Sequence, residues 1–396
     1  MRAAEIVPGV YWVGVLDWDI RYFHGRAYST HRGTTYNAYL IKDEKTVLVD
    51  TVYGPFAGEL LENLRNLIDP AGIDCVVVNH IETDHAGALP EVMRVAPRAK
   101  IYCTRQAAEG LRRQYGSAWE INEVKTGDRL SIGRRSLVFI PAPMLHWPDS
   151  MFTYVPEDEL LLPNDAFGQH YATNFRFDDQ VDQAALMEEA AKYYANILYP
   201  FSALVLKKLA EIRELGLKIK VIAPSHGVVW RGAPDRIMTA YARWAGGEAE
   251  PRVLVVYDTM WESTARLARA IVTGVTETGC ACCQYRIAVT DHSDVMKEVL
   301  LSRALVVGSP TINRGYLPTL APFLDDLVGL KPAKRAGAAF GSYGWSGEAV
   351  GEIEEKLKKA GVDLVAPGLK VKWVPGAEDL AAARELGRQV AARVMG

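Results

Sequence analysis

Asn79-His80-Ile81-Glu82-Thr83-Asp84-His85 sets two imidazoles and two carboxylates within the six residues from His80 to His85. The apolar run Cys75-Val76-Val77-Val78 just before it has the pattern of a buried strand. The donors therefore sit on a loop at a strand end, where side chains can converge on one point. Imidazole mixed with carboxylate at this density suits zinc or iron. The pattern is HxHxDH-like, with Glu82 where a second histidine would stand. That exchange moves the donor set toward hard oxygen.

Three further donors follow or end strand-like runs. His146 lies in Pro141-Ala142-Pro143-Met144-Leu145-His146-Trp147-Pro148, Asp165 in Leu160-Leu161-Leu162-Pro163-Asn164-Asp165, and His226 in Val221-Ile222-Ala223-Pro224-Ser225-His226-Gly227. Positions of this kind gather functional side chains at one edge of a sheet. Strand signals at 10–15, 37–41, 46–50, 100–103, 137–140 and 160–162 surround them. Helical patterns span 58–68, 187–198 and 203–215, so this part is an α/β domain.

The polar segment Ala245-Gly246-Gly247-Glu248-Ala249-Glu250-Pro251 then marks a boundary, placing domains at 1–248 and 249–396. Beyond it, strands predicted at 253–257, 305–308, 336–340 and 370–374 alternate with helices at 263–278, 320–328, 348–360 and 377–394. That alternation predicts a doubly wound parallel sheet. Thr259-Met260-Trp261-Glu262-Ser263-Thr264 follows its first strand and leads into a helix. Hydroxyls beside helix N-terminal N–H groups make a phosphate cradle. There is no GxGxxG and no Walker lysine, so neither a dinucleotide fingerprint nor a P-loop fits. Ser309-Pro310-Thr311-Ile312-Asn313 and Ser342-Tyr343-Gly344-Trp345-Ser346-Gly347 follow later strands, at the strand ends where open α/β folds bind ligands. Trp261, Tyr343 and Trp345 are placed to stack on a flat ring.

The order HxExDH, His, Asp, SHG resembles a metallo-β-lactamase-type domain, an αββα sandwich with a dinuclear metal site. Glu82 makes it similar to the diiron domain of flavodiiron proteins (A-type flavoproteins), and the 259–264 loop resembles the FMN phosphate loop of flavodoxins. The resemblance covers nearly the whole chain. It implies two iron ions, with His80, Glu82 and His146 on one, Asp84, His85 and His226 on the other, and Asp165 bridging. Adjacent residues Asp84 and His85 must then both turn inward. The resemblance also implies FMN held by the loops at 259–264, 310–313 and 342–347. His24 resembles a pocket histidine that donates a proton or hydrogen bond near the irons; a structural hydrogen-bonding role is the alternative. Tyr193 and Tyr194 are candidates for the pocket wall or the core. His31, His170 and His292 have surface or packing roles.

FMN carries two electrons and two ferrous ions give two more. Four electrons reduce one O2 to two waters, and two electrons couple two NO molecules to N2O. The resemblance implies both activities, with NO reduction preferred here. It also implies a head-to-tail homodimer or a dimer of dimers. No rubredoxin-like CxxC pair follows the second domain, so a separate rubredoxin-type donor is expected, with reduced deazaflavin as the alternative. Residues 251–396 hold 18 Lys and Arg against 16 Asp and Glu, a sign that suits an acidic donor. The rival readings are a zinc hydrolase fused to a flavodoxin-like module, and an electron carrier or sensor without enzymatic activity.

The 396-residue composition describes an ordinary globular protein, with 49% hydrophobic and 23% charged residues. A net charge of −3 argues against non-specific nucleic-acid binding. No apolar run approaches a membrane span, and the N-terminus lacks a signal-peptide h-region. The five cysteines, Cys75, Cys103, Cys280, Cys282 and Cys283, do not form a disulfide framework, so a reduced, cytoplasmic setting is expected. The Cys280–Cys283 cluster lacks a second cluster to complete a thiolate metal site, and an inert role is the expectation.

Overall fold

The computed structural model describes residues 3–396. By internal packing the chain divides into two units. The first contains the chain up to Arg21, Thr30–Tyr193 and Ala203–Ala242; the second contains Tyr22–Ser29, Tyr194–Ser202 and Arg243–Gly396. Beside the single cut expected at 248/249, two short early segments thus group with the later residues. Hydrogen bonds show why. The Ser29 N–H donates to Ser293 Oγ at 2.9 Å, Asn196 Nδ2 donates to the Ser293 carbonyl at 3.0 Å, and Arg335 donates to the Tyr199 hydroxyl at 3.2 Å. Arg335, only 1% exposed, also donates to the carbonyls of Gly247, Val299, Leu300 and Ala333.

The first unit is built on two sheets. One runs in the order Ala4–Val7, Val10–Trp12, Tyr39–Lys42, Thr46–Val49, Cys75–Val77, Lys100–Cys103, Ile121–Glu123. The other runs Arg129–Ser131, Ser136–Pro141, Met151–Val155, Leu160–Leu162, Val221–Ile222. Strand side chains alternate between faces. One set, including Trp12, Val47, Val49, Val77, Phe139, Met151, Val155 and Leu162, forms a single buried cluster drawn from both sheets. The alternate set, with Leu48, Val76, Ile101 and Ile140, is equally buried and faces the helical layers. Both faces of each sheet are therefore apolar, which is why these strands read as continuous hydrophobic runs. This is the αββα sandwich expected from the sequence.

The second unit has an all-parallel sheet in the order Ala281–Arg286, Glu250–Tyr257, Ser302–Gly308, Ala336–Tyr343, Asp363–Leu364, with Leu369–Lys372 also paired to Ala336–Tyr343. The chain leaves the central Glu250–Tyr257 strand toward one edge and returns on its other side, so a crevice opens between the ends of Glu250–Tyr257 and Ser302–Gly308. The sequence reading missed strand Ala281–Arg286 and helix His292–Leu301. The strand is half-exposed at the sheet edge and carries Cys282 and Cys283, so it lacks the apolar signature of its neighbours. Both cysteines, like the other three, are unpaired. The helix predicted at 187–198 is α-helical over Gln183–Tyr193 and continues as a π-helical turn over Tyr194–Leu198. No helix among the described residues is long and apolar enough to cross a membrane.

Candidate functional site

The strand Cys75–Val77 ends just before His80, and a one-turn helix, Thr83–Ala86, carries Asp84 and His85. A single helical turn lets these neighbours both project toward the sheet edge. His146 follows strand Ser136–Pro141, Asp165 follows Leu160–Leu162, and His226 follows Val221–Ile222. All seven residues meet in two groups: His80, Glu82, His146 and Asp165, and Asp84, His85 and His226, whose donor atoms lie within 4.8 Å of one another in each group.

In the first group, Glu82 Oε2 is 3.3 Å from His80 Nε2 and 3.4 Å from His146 Nε2. Asp165 Oδ2 is 3.3 Å from His146 Nε2 and 3.8 Å from His80 Nε2. In the second, Asp84 Oδ2 is 3.1 Å from His226 Nε2 and 3.3 Å from His85 Nε2. Asp165 reaches this group through its other oxygen, with Oδ1 3.1 Å from His85 Nε2 and 3.6 Å from His226 Nε2. One carboxylate thus serves both groups, an oxygen to each.

These residues fit a pair of metal ions. All four imidazoles turn Nε2 toward the carboxylates. Donors bound at about 2.1 Å around one ion lie roughly 3.0–3.4 Å apart, which matches six of these eight separations. Asp165 Oδ2, Asp84 Oδ1 and His85 Nε2 are buried without a hydrogen-bond partner among the described residues. Buried polar atoms are rarely left in this state, and cations between them supply the missing partners. The three carboxylates and four imidazoles are oxygen-rich for a zinc hydrolase and suit iron.

The loops are held from behind. Asp50 Oδ1 accepts the Asn79 N–H at 2.7 Å, and its Oδ2 accepts Asn79 Nδ2 at 3.1 Å and Asn164 Nδ2 at 3.3 Å. Asn79 and Asn164 immediately precede His80 and Asp165, so one buried carboxylate ties two donor loops together. Asp149 Oδ2 accepts from His80 Nδ1 at 2.9 Å and from the Ile81 N–H at 2.8 Å. Tyr193 and Ser225 each donate a hydroxyl to Asp165 Oδ1 at 2.9 Å. His226 Nδ1 faces the Thr35 carbonyl at 2.6 Å.

Without metal, protons occupy the site. Burial alone would lower the pKa of His85, but the Asp84 and Asp165 carboxylates outweigh it and hold it at about 9. Burial likewise opposes charge on His80, yet Asp149, Glu82 and Asp165 push its pKa well above the ordinary value. Burial would raise Asp165, but His85 and His146 hold its carboxyl well below the usual range. Burial, with Asp165 next to it, drives the Tyr193 hydroxyl far up, so it stays protonated.

The second unit has a crevice of about 360 Å³ at the carboxyl ends of its strands, lined by Thr259, Met260, Trp261, Ser263, Pro310, Thr311, Ser342, Tyr343, Gly344, Trp345, Trp373 and Val374. The helix Ser263–Thr276 begins at its edge, after Glu262 in the left-handed region. Thr264 Oγ1 and Ser342 Oγ, 2.9 Å apart, tie the first loop to the third. Thr259 Oγ1 is buried with no hydrogen-bond partner among the described residues. A helix N-terminus, an unsatisfied hydroxyl and flanking indoles fit a phosphate joined to a flat ring, the chemistry of FMN.

Of the flavin-loop residues predicted, Glu262, Thr264, Ile312, Asn313, Ser346 and Gly347 do not line the crevice. Thr264 is buried beneath it, Ile312 pairs across a tight turn with Gly315, and Ser346 donates to Glu348. Trp373 and Val374, missed earlier, line it because the strand ends at Lys372 and Trp373 turns into the left-handed region. Among the pocket histidines, His24 belongs to neither donor group; it lies exposed at the turn of the hairpin Tyr22–Phe23/Tyr28–Ser29. His170, read from sequence as a surface or packing residue, is buried with its ring 4.9 Å from that of His226. Asp50 and Asp149 were not found from sequence. Their only signal was a carboxylate at a strand end and another three residues after His146.

The family model described as ODP family beta lactamase matches residues 34–227, and the flavodoxin model matches residues 255–387. The chain is 57% identical over 395 residues to a nitric oxide reductase of Moorella thermoacetica, covering 99% of each chain. It is 46% identical over 391 residues to an anaerobic nitric oxide reductase flavorubredoxin of Aeromonas salmonicida, covering 98% of this chain and 75% of that one. Among solved structures, the rubredoxin oxygen:oxidoreductase of Desulfovibrio gigas aligns with a TM-score of 0.97 at 37% identity, over 99% of this chain and 98% of the other. The flavodiiron protein of Giardia intestinalis aligns with a TM-score of 0.96 at 38% identity, over 100% and 97%.

Proposed function

The chain belongs to the flavodiiron protein family, and on that premise we propose that it reduces nitric oxide to nitrous oxide at two iron ions, with electrons delivered through FMN. The observation that carries this reading is the shared Asp165 carboxylate, with Glu82 completing an oxygen-rich donor set around it.

When bound, the irons and the reduced flavin supply the electrons of 2 NO + 2 e⁻ + 2 H⁺ → N2O + H2O. The chain's residues do the rest. His80, Glu82 and His146 would hold one iron and Asp84, His85 and His226 the other, with Asp165 shared between the two groups. Fixed neighbouring positions bring two small substrates side by side. The protonated Tyr193 hydroxyl and Ser225 orient Asp165. In the second unit, the 259–264 loop and the N-terminus of helix Ser263–Thr276 would receive the FMN phosphate, and Trp261, Tyr343 and Trp345 would supply aromatic surface for the ring.

Likeness to a protein named for oxygen reduction supports a second reading, in which the same centre takes O2 + 4 e⁻ + 4 H⁺ to two waters. The donor is a rubredoxin-type protein, and reduced deazaflavin is the alternative. The rim of the flavin crevice exposes Trp261 at 89%, Trp345 at 61% and Trp373 at 66%, an apolar surface that supports partner docking in a head-to-tail homodimer. Five unpaired cysteines support a cytoplasmic setting. Anaerobic turnover of purified, iron- and FMN-loaded protein with reduced rubredoxin tests the reading. N2O formation faster than O2 consumption is expected. Loaded protein that consumes no NO overturns it, and a chain isolated with two zinc ions and hydrolytic activity favours the rival hydrolase.

A further inference from the structure

The two metal positions have equal numbers of donors once Asp165 is shared, yet the groups behind those donors differ. This inference rests on the two-metal reading above. Behind the first position, His80 Nδ1 faces the buried Asp149 carboxylate at 2.9 Å. An anionic acceptor fixes the tautomer with the Nε2 lone pair toward the metal and makes the imidazole a stronger donor. The Ile81 N–H at 2.8 Å holds Asp149 in place, as does Thr104, whose hydroxyl donates to the Asp149 carbonyl at 2.9 Å.

Behind the second position, the Nδ1 contact described for His226 is neutral. His226 Nδ1 faces the neutral Thr35 carbonyl at 2.6 Å, with the Thr34 hydroxyl at 3.4 Å. His85 Nδ1 is buried without a hydrogen-bond partner among the described residues. Charge-assisted hydrogen bonds are roughly twice as strong as neutral ones, so the Thr35 carbonyl polarises His226 less than Asp149 polarises His80. The shared carboxylate repeats the pattern. Its Oδ1, on the second side, already accepts hydrogen bonds from Tyr193 and Ser225; its Oδ2, on the first side, has no hydroxyl donor among the described residues and faces the His146 imidazole. Two donors on one oxygen draw electron density from the metal it faces.

We infer that Asp149 is a positioning residue that makes the two metal positions unequal: the His80–Glu82–His146 position holds its ion tightly, and the Asp84–His85–His226 position releases its ion first.

The test uses the full-length chain carrying FMN and two ferrous ions, mixed anaerobically with excess coloured ferrous chelator. Iron release is followed as colour, with iron per chain measured before and after. The wild type is expected to release one ion per chain in a fast phase and one in a slow phase. Asp149→Asn should accelerate only the slow phase, by about 10- to 100-fold, the usual cost of losing an outer-shell partner. Ser225→Ala removes one donor from Asp165 Oδ1 and should slow only the fast phase. A single phase in the wild type overturns the inference, as does equal acceleration of both phases by Asp149→Asn. If Asp149→Asn fails to fold, Ser225→Ala decides: a slower fast phase supports the inference and an unchanged one overturns it. Uptake of fewer than two ions per chain overturns the two-metal reading itself, which separates that failure from this one.

Discussion

The metal loops of the first unit and the flavin loops of the second both sit at strand ends, but they recognise their ligands by different physics. The metal site is made of buried charged groups, each needing an ion or a proton to be stable. The flavin crevice is made of hydroxyls, backbone N–H groups and exposed indoles, none of which needs a ligand to exist. A buried ionic cluster should therefore fail sharply when one member is changed, and a surface crevice should weaken by degrees.

The largest effect should come from Asp165, the residue shared by both metal positions. Asp165→Asn removes the charge facing four imidazoles while keeping the shape. We expect iron content well below two per chain and turnover reduced by more than about 100-fold, beyond the range for outer-shell changes. FMN content should stay at one per chain. Loss of FMN together with iron would break the contrast between the two sites.

Glu82→His sharpens the same contrast within the metal site. It restores the imidazole of the hydrolase-like pattern and removes a hard anionic donor from the first position. Iron-dependent NO and O2 turnover should be lost, and zinc uptake should rise, as read by metal analysis. Unchanged turnover would remove the case for Glu82 as the residue that makes this scaffold redox-active.

What the sequence made legible follows this division. The seven metal donors stood out because each followed a strand-like run and brought an imidazole or a carboxylate to its end, and the structure gathers all seven. The residues that hold them did not stand out. Asp149 reaches His80 across 69 residues, and Asp50 reaches Asn164 across 114. Hydrogen bonds over such separations leave no local spacing to read. In the second unit, three loops were legible because strand–helix alternation fixes where loops emerge. Trp373 was missed because it reads as part of the strand predicted at 370–374, ahead of the Pro375-Gly376 turn signal, whereas the strand ends at Lys372. The edge strand Ala281–Arg286 was missed because a half-exposed strand lacks the apolar run that marks a central one.

Protons give the next largest effect, again confined to the metal site. His85 carries a proton below about pH 9 in the metal-free protein. A metal must displace it, so affinity should rise by about tenfold per pH unit for each proton released, until pH passes about 9. The metal-free fold behaves oppositely. The His85 pKa is raised above the ordinary 6.5, so its contribution to stability is fully present below about that value and is lost as pH rises through about 9. The pKa values of Asp84 and Asp165 are depressed below 3.8, so their contributions are present above it and lost at lower pH. Metal-binding calorimetry in buffers of different ionisation enthalpy reads the protons, and melting curves read the stability. FMN affinity should be flat over pH 6.5–9; a similar slope there would break the comparison.

The flavin crevice should respond by smaller steps. Thr259→Val removes the one buried hydroxyl there that lacks a partner among the described residues. A hydrogen bond to a charged phosphate contributes about 1.5–3 kcal/mol, so FMN binding should weaken by roughly 10- to 150-fold, read by fluorescence quenching. The smallest effect belongs to Trp345, 61% exposed at the rim. An aromatic contact contributes about 0.5–1.5 kcal/mol beyond its buried area, and an exposed ring lies at the low end of that range. Trp345→Ala should therefore weaken FMN by only a few-fold and leave iron content at two per chain. On the proposal that a partner docks at this rim, loss of the indole should slow electron delivery more than it weakens FMN. If FMN affinity and the donor-driven rate fall by the same factor, Trp345 acts only on the flavin; if the rate falls further at saturating FMN, the rim is also a docking surface.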